Sequence, residues 1–186
     1  MELLPAHRAA MREFDNRVRR TGIDQLDNAT PCGEWRVRDL LNHLVSEQLW
    51  APWLLEGHTL EQVGDRFDGD LVGEDPQAAW DRASSAARAA WDNAKLSSRV
   101  HVTGGKIPVE DYGWQMTMDL AVHAWDLAKG IGADTGLDPE LVEAVRAVFE
   151  PHLAALADSG LFAPAKPVSV SAAPQSRLLA MLGRQP

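Results

Sequence analysis

The stretch MDLAVHAWDLAKG, residues 118–130, decides how this chain is read. At 100° per residue, Asp119, His123 and Asp126 fall within about 60° of arc on a helix. Met116, Leu120 and Leu127 lie to one side of that stripe and Met118, Val122 and Trp125 to the other. Thr117, Ala121, Ala124 and Ala128 form the back. Two carboxylates and an imidazole therefore sit in a helix whose other faces are apolar and call for burial. Working back, Pro108 suits a helical first turn, so the spacing predicts one long helix from there to a stop at Gly130, with Gly132 following.

A carboxylate moved into apolar surroundings costs several kcal/mol unless something pairs with it. No Lys or Arg lies within one turn of Asp119 on this helix. A divalent cation resolves the deficit, and the i,i+4 spacing lets Asp119 and His123 approach one point. A further ligand has to come from elsewhere, and His43 is the best candidate. It lies mid-helix beside Leu40 and Leu44, with Asp39 and Glu47 one turn away on either side, where either could orient the ring or complete a coordination sphere. His43, Asp119 and His123 would give three protein ligands with room for water, the open type of zinc site. On the residues alone a second explanation stays open: a core-edge His43 hydrogen-bonded to Glu47, and Asp119 with His123 as a satisfied polar pair.

The rest of the chain reads as helices with short to medium connections. Met11, Phe14 and Val18 recur at helical spacing over residues 7–20. Pro31 to Gly33 is a turn, and a second helix runs from Arg36 to about Leu54. The glycine- and acid-rich stretch 58–76 is a long connection with room for one helical turn. An Ala-rich helix with Trp80, Ala87 and Trp91 on one edge covers about 77–95. SRVHVTGGKI, 98–107, alternates and then turns at Gly104-Gly105 as a short hairpin. A helix from Pro139 to about Glu150 is ended or kinked by Pro151, with Leu153 and Leu156 able to extend its apolar side. Arg177 to Leu182 form a last short helix. The expected fold is all-α, a bundle of about four long helices with short additional helices and a small hairpin, and residues 1–186 form one domain.

Composition narrows function. Lys plus Arg total 18 against 27 for Asp plus Glu, giving a net charge of -9, and the basic residues do not cluster. A phosphate-backbone binder is not expected. A single cysteine, Cys32, rules out an intrachain disulfide and suits a reducing cytoplasm. MELLPAHRAA lacks the basic and apolar regions of a secretory leader, and no apolar run is long enough to span a bilayer. Cys32 precedes a helix start, which can acidify a thiol, but no second cysteine or neighbouring base accompanies it, so packing is the simpler role. His58 and His101 read as surface residues. The 7 tryptophans read mainly as core or interface anchors, a surplus that suits a homodimer, and Trp50 shares the His43 side of its helix, where it could wall a ligand cavity.

Three segments together carry a family likeness: ATPCGEWRVRDLLNHLVSEQLW (29–50), MDLAVHAWDLAKGIG (118–132) and SRLLAMLGRQP (176–186). They resemble the actinobacterial proteins related to the N-terminal domain of mycothiol-dependent maleylpyruvate isomerase, within the DinB-like helical-bundle superfamily. The resemblance implies a four-helix bundle with a divalent metal at one end, zinc first and nickel as an alternative. The family's W-x-x-x-x-L-x-x-H histidine falls on His43, and its later acidic residue and histidine fall on Asp119 and His123. The isomerase has glutamate where this chain has Asp119, one methylene shorter. It also implies a thiol cosubstrate such as mycothiol, activated as thiolate, so that Cys32 is not required. The isomerase carries a further C-terminal domain that helps bind its acidic substrate and that this chain is too short to contain. The expectation is therefore a metal-dependent thiol S-transferase-like enzyme acting on a small molecule. A hydrolase using bound water and a non-enzymatic metal-containing binding protein are the alternatives.

Overall fold

The computed structural model describes residues 1–33, 35–152, 163–169 and 171–186. Its elements are α1 (Leu3–Val18), α2 (Val37–Leu55), α3 (Leu60–Val63), α4 (Pro76–Asp92), β1 (Arg99–Val102), β2 (Gly105–Pro108), α5 (Val109–Ile131), α6 (Pro139–Phe149) and α7 (Pro174–Met181). Single 3-10 turns cover Ile23–Gln25 and Glu150–His152. The fold is an all-α bundle with one small hairpin, as the periodicity predicts.

Four helices make the bundle. α1 packs chiefly on α5 and α2 chiefly on α4, and lesser α1–α4 and α2–α5 contacts close the ring. The stripe Ala6, Ala10, Phe14 and Val18 of α1 faces inward, as do Leu40, Leu41 and Leu44 of α2. Trp80 of α4 is fully buried against Phe14, with ring centroids 4.7 Å apart. Burial of side chains of this size contributes about 1.5–3 kcal/mol each, so the inward stripes carry most of the bundle's stability. α6 packs outside α1 and α5, and α7 packs on α6.

Local chemistry sets the helix ends. The Asp39 carboxylate accepts from the Arg36 amide at 2.9 Å as half of a capping box at the start of α2. Asp75 and Asp138 cap α4 and α6, each followed by proline at the first helical position. α1 starts at Leu3, four residues before the expected start at His7, and admits Pro5 because it falls in the first turn, where its missing N–H would have had no intrahelical partner. α7 likewise starts at Pro174, ahead of the expected Arg177.

α5 passes through Gly130, the expected stop, and ends at the left-handed Gly132, φ 67°. Gly130 serves a close approach instead. A Cβ placed there would lie 2.8 Å from Val37 Cγ2 and 3.4 Å from the Ala29 carbonyl oxygen, so its absence lets the segment before α2 cross α5. Gly113 plays the same part for α1, where a Cβ would come within 2.7 Å of Leu3 Cδ2.

The connection 58–76 holds α3 and is tied back to α2. Asn42 donates to the Gly69 carbonyl at 2.9 Å and accepts from the Leu71 amide at 2.7 Å, while Val63 and Val72 are buried. The hairpin pairs Arg99 with Pro108 and Val102 with Gly105. Leu153 and Leu156, expected to prolong the apolar side of α6, lie outside the described residues. Among the described residues no helix is long and apolar enough to cross a membrane.

A buried histidine ties α1 to α5. The Thr117 hydroxyl donates to the Gly113 carbonyl at 2.6 Å, so its oxygen accepts from His7 Nδ1–H at 3.2 Å. Burial, then the nearby Arg88 and Arg8 charges, lower the His7 pKa from 6.5 to about 4. The folded protein keeps His7 neutral through a range in which the unfolded chain protonates it. Its contribution is therefore fully present above pH 6.5 and falls away as the pH drops toward 4. Urea unfolding at pH 7.5 and pH 5 is expected to show a loss in the wild type exceeding that in His7→Gln by about 2 kcal/mol. Equal losses would remove His7 as the source.

Candidate metal centre

The α2–α5 contact brings the three candidate residues to one point. His43, between the fully buried Leu40 and Leu44, faces α5, where Asp119 and His123 are one turn apart. His43 Nε2 lies 3.1 Å from Asp119 Oδ2, and His123 Nε2 lies 3.3 Å from Asp119 Oδ1. One ligand atom from each of the three falls within 4.8 Å of the others. Each carboxylate oxygen thus faces one imidazole.

Trp35 covers the cluster. The turn before α2 is closed by Thr30, whose hydroxyl donates to the Trp35 carbonyl at 2.8 Å and accepts from the Cys32 amide at 3.2 Å. The indole is thereby held 4.9 Å from the His43 ring centroid and 5.8 Å from that of His123, nearly parallel to the latter. It remains 36% exposed, so the cluster opens toward solvent beside an aromatic wall.

The protonation of His123 decides what this arrangement can hold. His123 Nδ1 lies 3.0 Å from Asp126 Oδ2, and Asp126 also receives Arg184 Nη2 at 2.7 Å. Burial would raise the Asp126 pKa, but the hydrogen bonds from His123 and Arg184 outweigh it and hold the carboxyl below its usual range. Asp126 is therefore an anion that accepts from His123 Nδ1–H, and a neutral His123 presents its Nε2 lone pair to Asp119. Lone pair against carboxylate at 3.3 Å is repulsive. It is relieved either by a second proton on the ring or by a cation at that point.

With protons alone, burial works against the charged ring but Asp119 and Asp126 prevail, lifting the His123 pKa to about 9. Asp119 is driven well below the carboxylate range, its burial outweighed by His123 and His43. Two imidazole Nε2 atoms and a carboxylate around one point are also the donors that zinc and similar ions take. The residues fit a divalent cation, and Asp126 supplies the carboxylate–histidine support that orients a metal-bound imidazole.

A second group, Cys32, His123 and Asp126, is also close enough to hold an ion. The Arg184 guanidinium already occupies that side, donating to Asp126 and lying 3.4 Å from Cys32 Sγ. A cation there would face a fixed positive charge. Burial, against the opposing pull of Arg184, raises the Cys32 thiol pKa, which removes the acidified thiol that its place before a helix suggests.

Other sequence candidates are distributed differently. Asp39 is engaged at the α2 cap and does not join the cluster. His43 bonds to Asp119, in place of the Glu47 partner that the alternative reading gave it. Glu47 borders the cluster; burial and then Asp119 push its pKa up to about 7. Trp50 packs edge-on against Phe67 of the 58–76 connection. His58 lies against Trp53 and Glu56, and His101 faces Lys106 across the hairpin, both apart from the cluster. Arg184 is the residue that sequence reasoning missed. Its one signal was its place in the closing segment SRLLAMLGRQP, three residues past the end of α7.

Residues 7–128 match the family model described as the mycothiol maleylpyruvate isomerase N-terminal domain. Uncharacterized proteins from two strains of Mycobacterium tuberculosis are 33% identical over 192 residues, spanning 99% of this chain and 98% of theirs. Crystal structures of the mycothiol-dependent maleylpyruvate isomerase and of a histidine-to-alanine mutant of it are similar in fold. Their TM-scores are 0.62 and 0.63 at 15% identity, over 83% of this chain and 67% of theirs.

The Arg184–Asp126 pair is fully enclosed, so removing one partner strands the other charge. Arg184→Met is expected to lower unfolding free energy at pH 7 by about 3–5 kcal/mol, and Asp126→Asn in the same chain to restore part of the loss. Denaturant midpoints of the single and double variants measure this. An Arg184→Met midpoint equal to wild type contradicts the pair's structural role.

Proposed function

This chain belongs to the mycothiol maleylpyruvate isomerase N-terminal domain family, and from that premise we propose that it is a metal-dependent enzyme that binds a small-molecule thiol. His43 Nε2, Asp119 and His123 Nε2 hold one divalent cation. Zinc is the first choice for two imidazoles and one carboxylate, with nickel as the alternative. The observation that carries this reading is the convergence of the His43 and His123 Nε2 atoms on the two Asp119 oxygens, with His123 Nδ1 engaged by Asp126 behind them. When bound, the cation stabilises the charged form of a thiol sulfur, by the logic that acidifies bound water.

The chain's own residues do the rest. Asp126 and Arg184 keep the His123 ring turned so that Nε2 faces the cluster. Three protein donors leave room for an exchangeable ligand, and Trp35 walls the opening with an apolar face. Cys32, with its raised pKa and its arginine contact, is not the reacting sulfur. Mycothiol is the proposed cosubstrate, as the name of the solved isomerase suggests. The reaction is transfer of its sulfur to a small electrophile.

Metal analysis of protein purified without chelator is expected to find about one ion per chain in the wild type and a loss of at least tenfold in His43→Ala and Asp119→Asn. Equal content in all three would exclude the site. Electrophile consumption should need added mycothiol, and turnover without any thiol would refute the transferase reading.

A further inference from the structure

We propose that a cavity enclosed by α1 and α4, with His7, Trp91 and Arg88 in its lining, binds a small aromatic acid that carries a hydroxyl. The cavity measures about 180 Å³. That is the liquid volume of about six waters, room for one ring and its substituents. The site is separate from the metal centre. Thr117, which holds the His7 ring, stands about 160° round α5 from Asp119.

Two polar atoms of the lining rings have no partner. His7 and Trp91 are each 2% exposed and their ring centroids lie 4.8 Å apart. His7 Nε2 and Trp91 Nε1 are buried and make no hydrogen bond among the described residues. Buried polar atoms are nearly always paired, so two orphans in one cavity lining call for a ligand group. They differ in kind. The Thr117 hydroxyl hydrogen is spent on the Gly113 carbonyl, so His7 Nδ1 carries the ring proton and Nε2 is an acceptor, whereas an indole N–H only donates. With Nδ1 committed to α5, the ring carries Nε2 away from that helix, and the cavity is lined by α1 and α4 residues alone. A hydroxyl meets both demands, donating to the imidazole and accepting from the indole.

The rim calls for an acid. Arg8, Arg88 and Asp92 all line the cavity, an excess of positive charge on a chain whose net charge is -9. Asp92 is spent on Arg8, at 2.7 Å. Arg88 makes no hydrogen bond among the described residues. The carboxylate it faces, Asp15, is 3.8 Å away through an oxygen that already accepts from Trp80 Nε1 at 3.0 Å. An uncommitted guanidinium fork fits a carboxylate, which it holds through two parallel hydrogen bonds. Burial first, then the charges of Arg88 and Arg8, keep the His7 ring neutral and its Nε2 an acceptor. Leu4 and Met11 complete the lining with apolar surface, and a thioether packs well against a flat ring.

The test is a nuclear magnetic resonance titration of the full chain, as purified, with 4-hydroxyphenylacetate. Phenylacetate, which lacks the hydroxyl, and 4-hydroxyphenethyl alcohol, which lacks the acid, are the comparisons. The Trp91 indole N–H signal, assigned by its loss in Trp91→Phe, is expected to shift with 4-hydroxyphenylacetate while the His43 and His123 ring signals stay in place. Each comparison compound is expected to bind about tenfold or more weakly. Arg88→Met should weaken 4-hydroxyphenylacetate by a similar factor; the Arg88 side chain is 41% exposed, so its loss leaves the core packing intact. A Trp91 signal that 4-hydroxyphenylacetate does not move overturns the proposal and leaves the cavity to water. Equal Kd values for phenylacetate and its hydroxylated form, or for Arg88→Met and wild type, overturn it too. Shifts confined to His43 and His123 would put the acid at the metal centre and do the same.

Discussion

The negative charge of Asp119, set where α2 meets α5 in an otherwise apolar helix, is the constraint on which the rest of the structure depends. It faces an imidazole on either side, and its two oxygens address one each. Behind it the charges alternate outward: His123 is turned by Asp126, and Asp126 is neutralised by Arg184. No member of this series is tolerable at its burial without the next. That is why the C-terminal residues fold back to α5, delivering a guanidinium to a carboxylate enclosed by the bundle. The series is open at its inner end, between Asp119 and the two Nε2 atoms, and that end is where chemistry can enter.

The bundle supplies the rigidity this arrangement requires. Asp119, His123 and Asp126 sit on one long helix whose spacing is fixed by its own hydrogen bonds. His43 and Glu47 come from a neighbour whose apolar stripe packs against the same core. The loop elements have a different task. The segment between Thr30 and Arg36 crosses α5 at Gly130, and its Thr30-closed turn carries Trp35 over the imidazoles and Cys32 toward Arg184. A side chain at Gly130 would push that turn outward, so a glycine at the end of a helix bears on the cover of the site.

Much of the cluster was legible because helical periodicity acts locally. Asp119 and His123, four apart, must project from the same side of α5 whatever surrounds them, and their neighbours' apolarity announced burial. The same rule misled at Asp39. A position one turn before His43 looks as suitable as one turn after it, yet a carboxylate in a helix's first turn is drawn to the open backbone amides, and the cap claimed it. Gly130 misled for a related reason: a glycine late in a helix reads as a stop, whereas here close packing of the chain required it and Gly132 ended the helix. Arg184 was out of reach because its partner is 58 residues away.

What the sequence alone determined is the long helices, their inward stripes and the shared side of Asp119 and His123, because these follow from 3.6 residues per turn and from the cost of burying polar groups. What only the tertiary structure decided is how equal-looking residues divide the work. Asp119 and Asp126 share one arc of α5, and nothing local distinguishes them. The approach of His43 to the first and of Arg184 to the second makes one an edge of the cluster and the other its support. The physical reason is range: backbone geometry fixes what lies within a turn, whereas the charge state and role of a carboxylate are set by partners that only packing brings near.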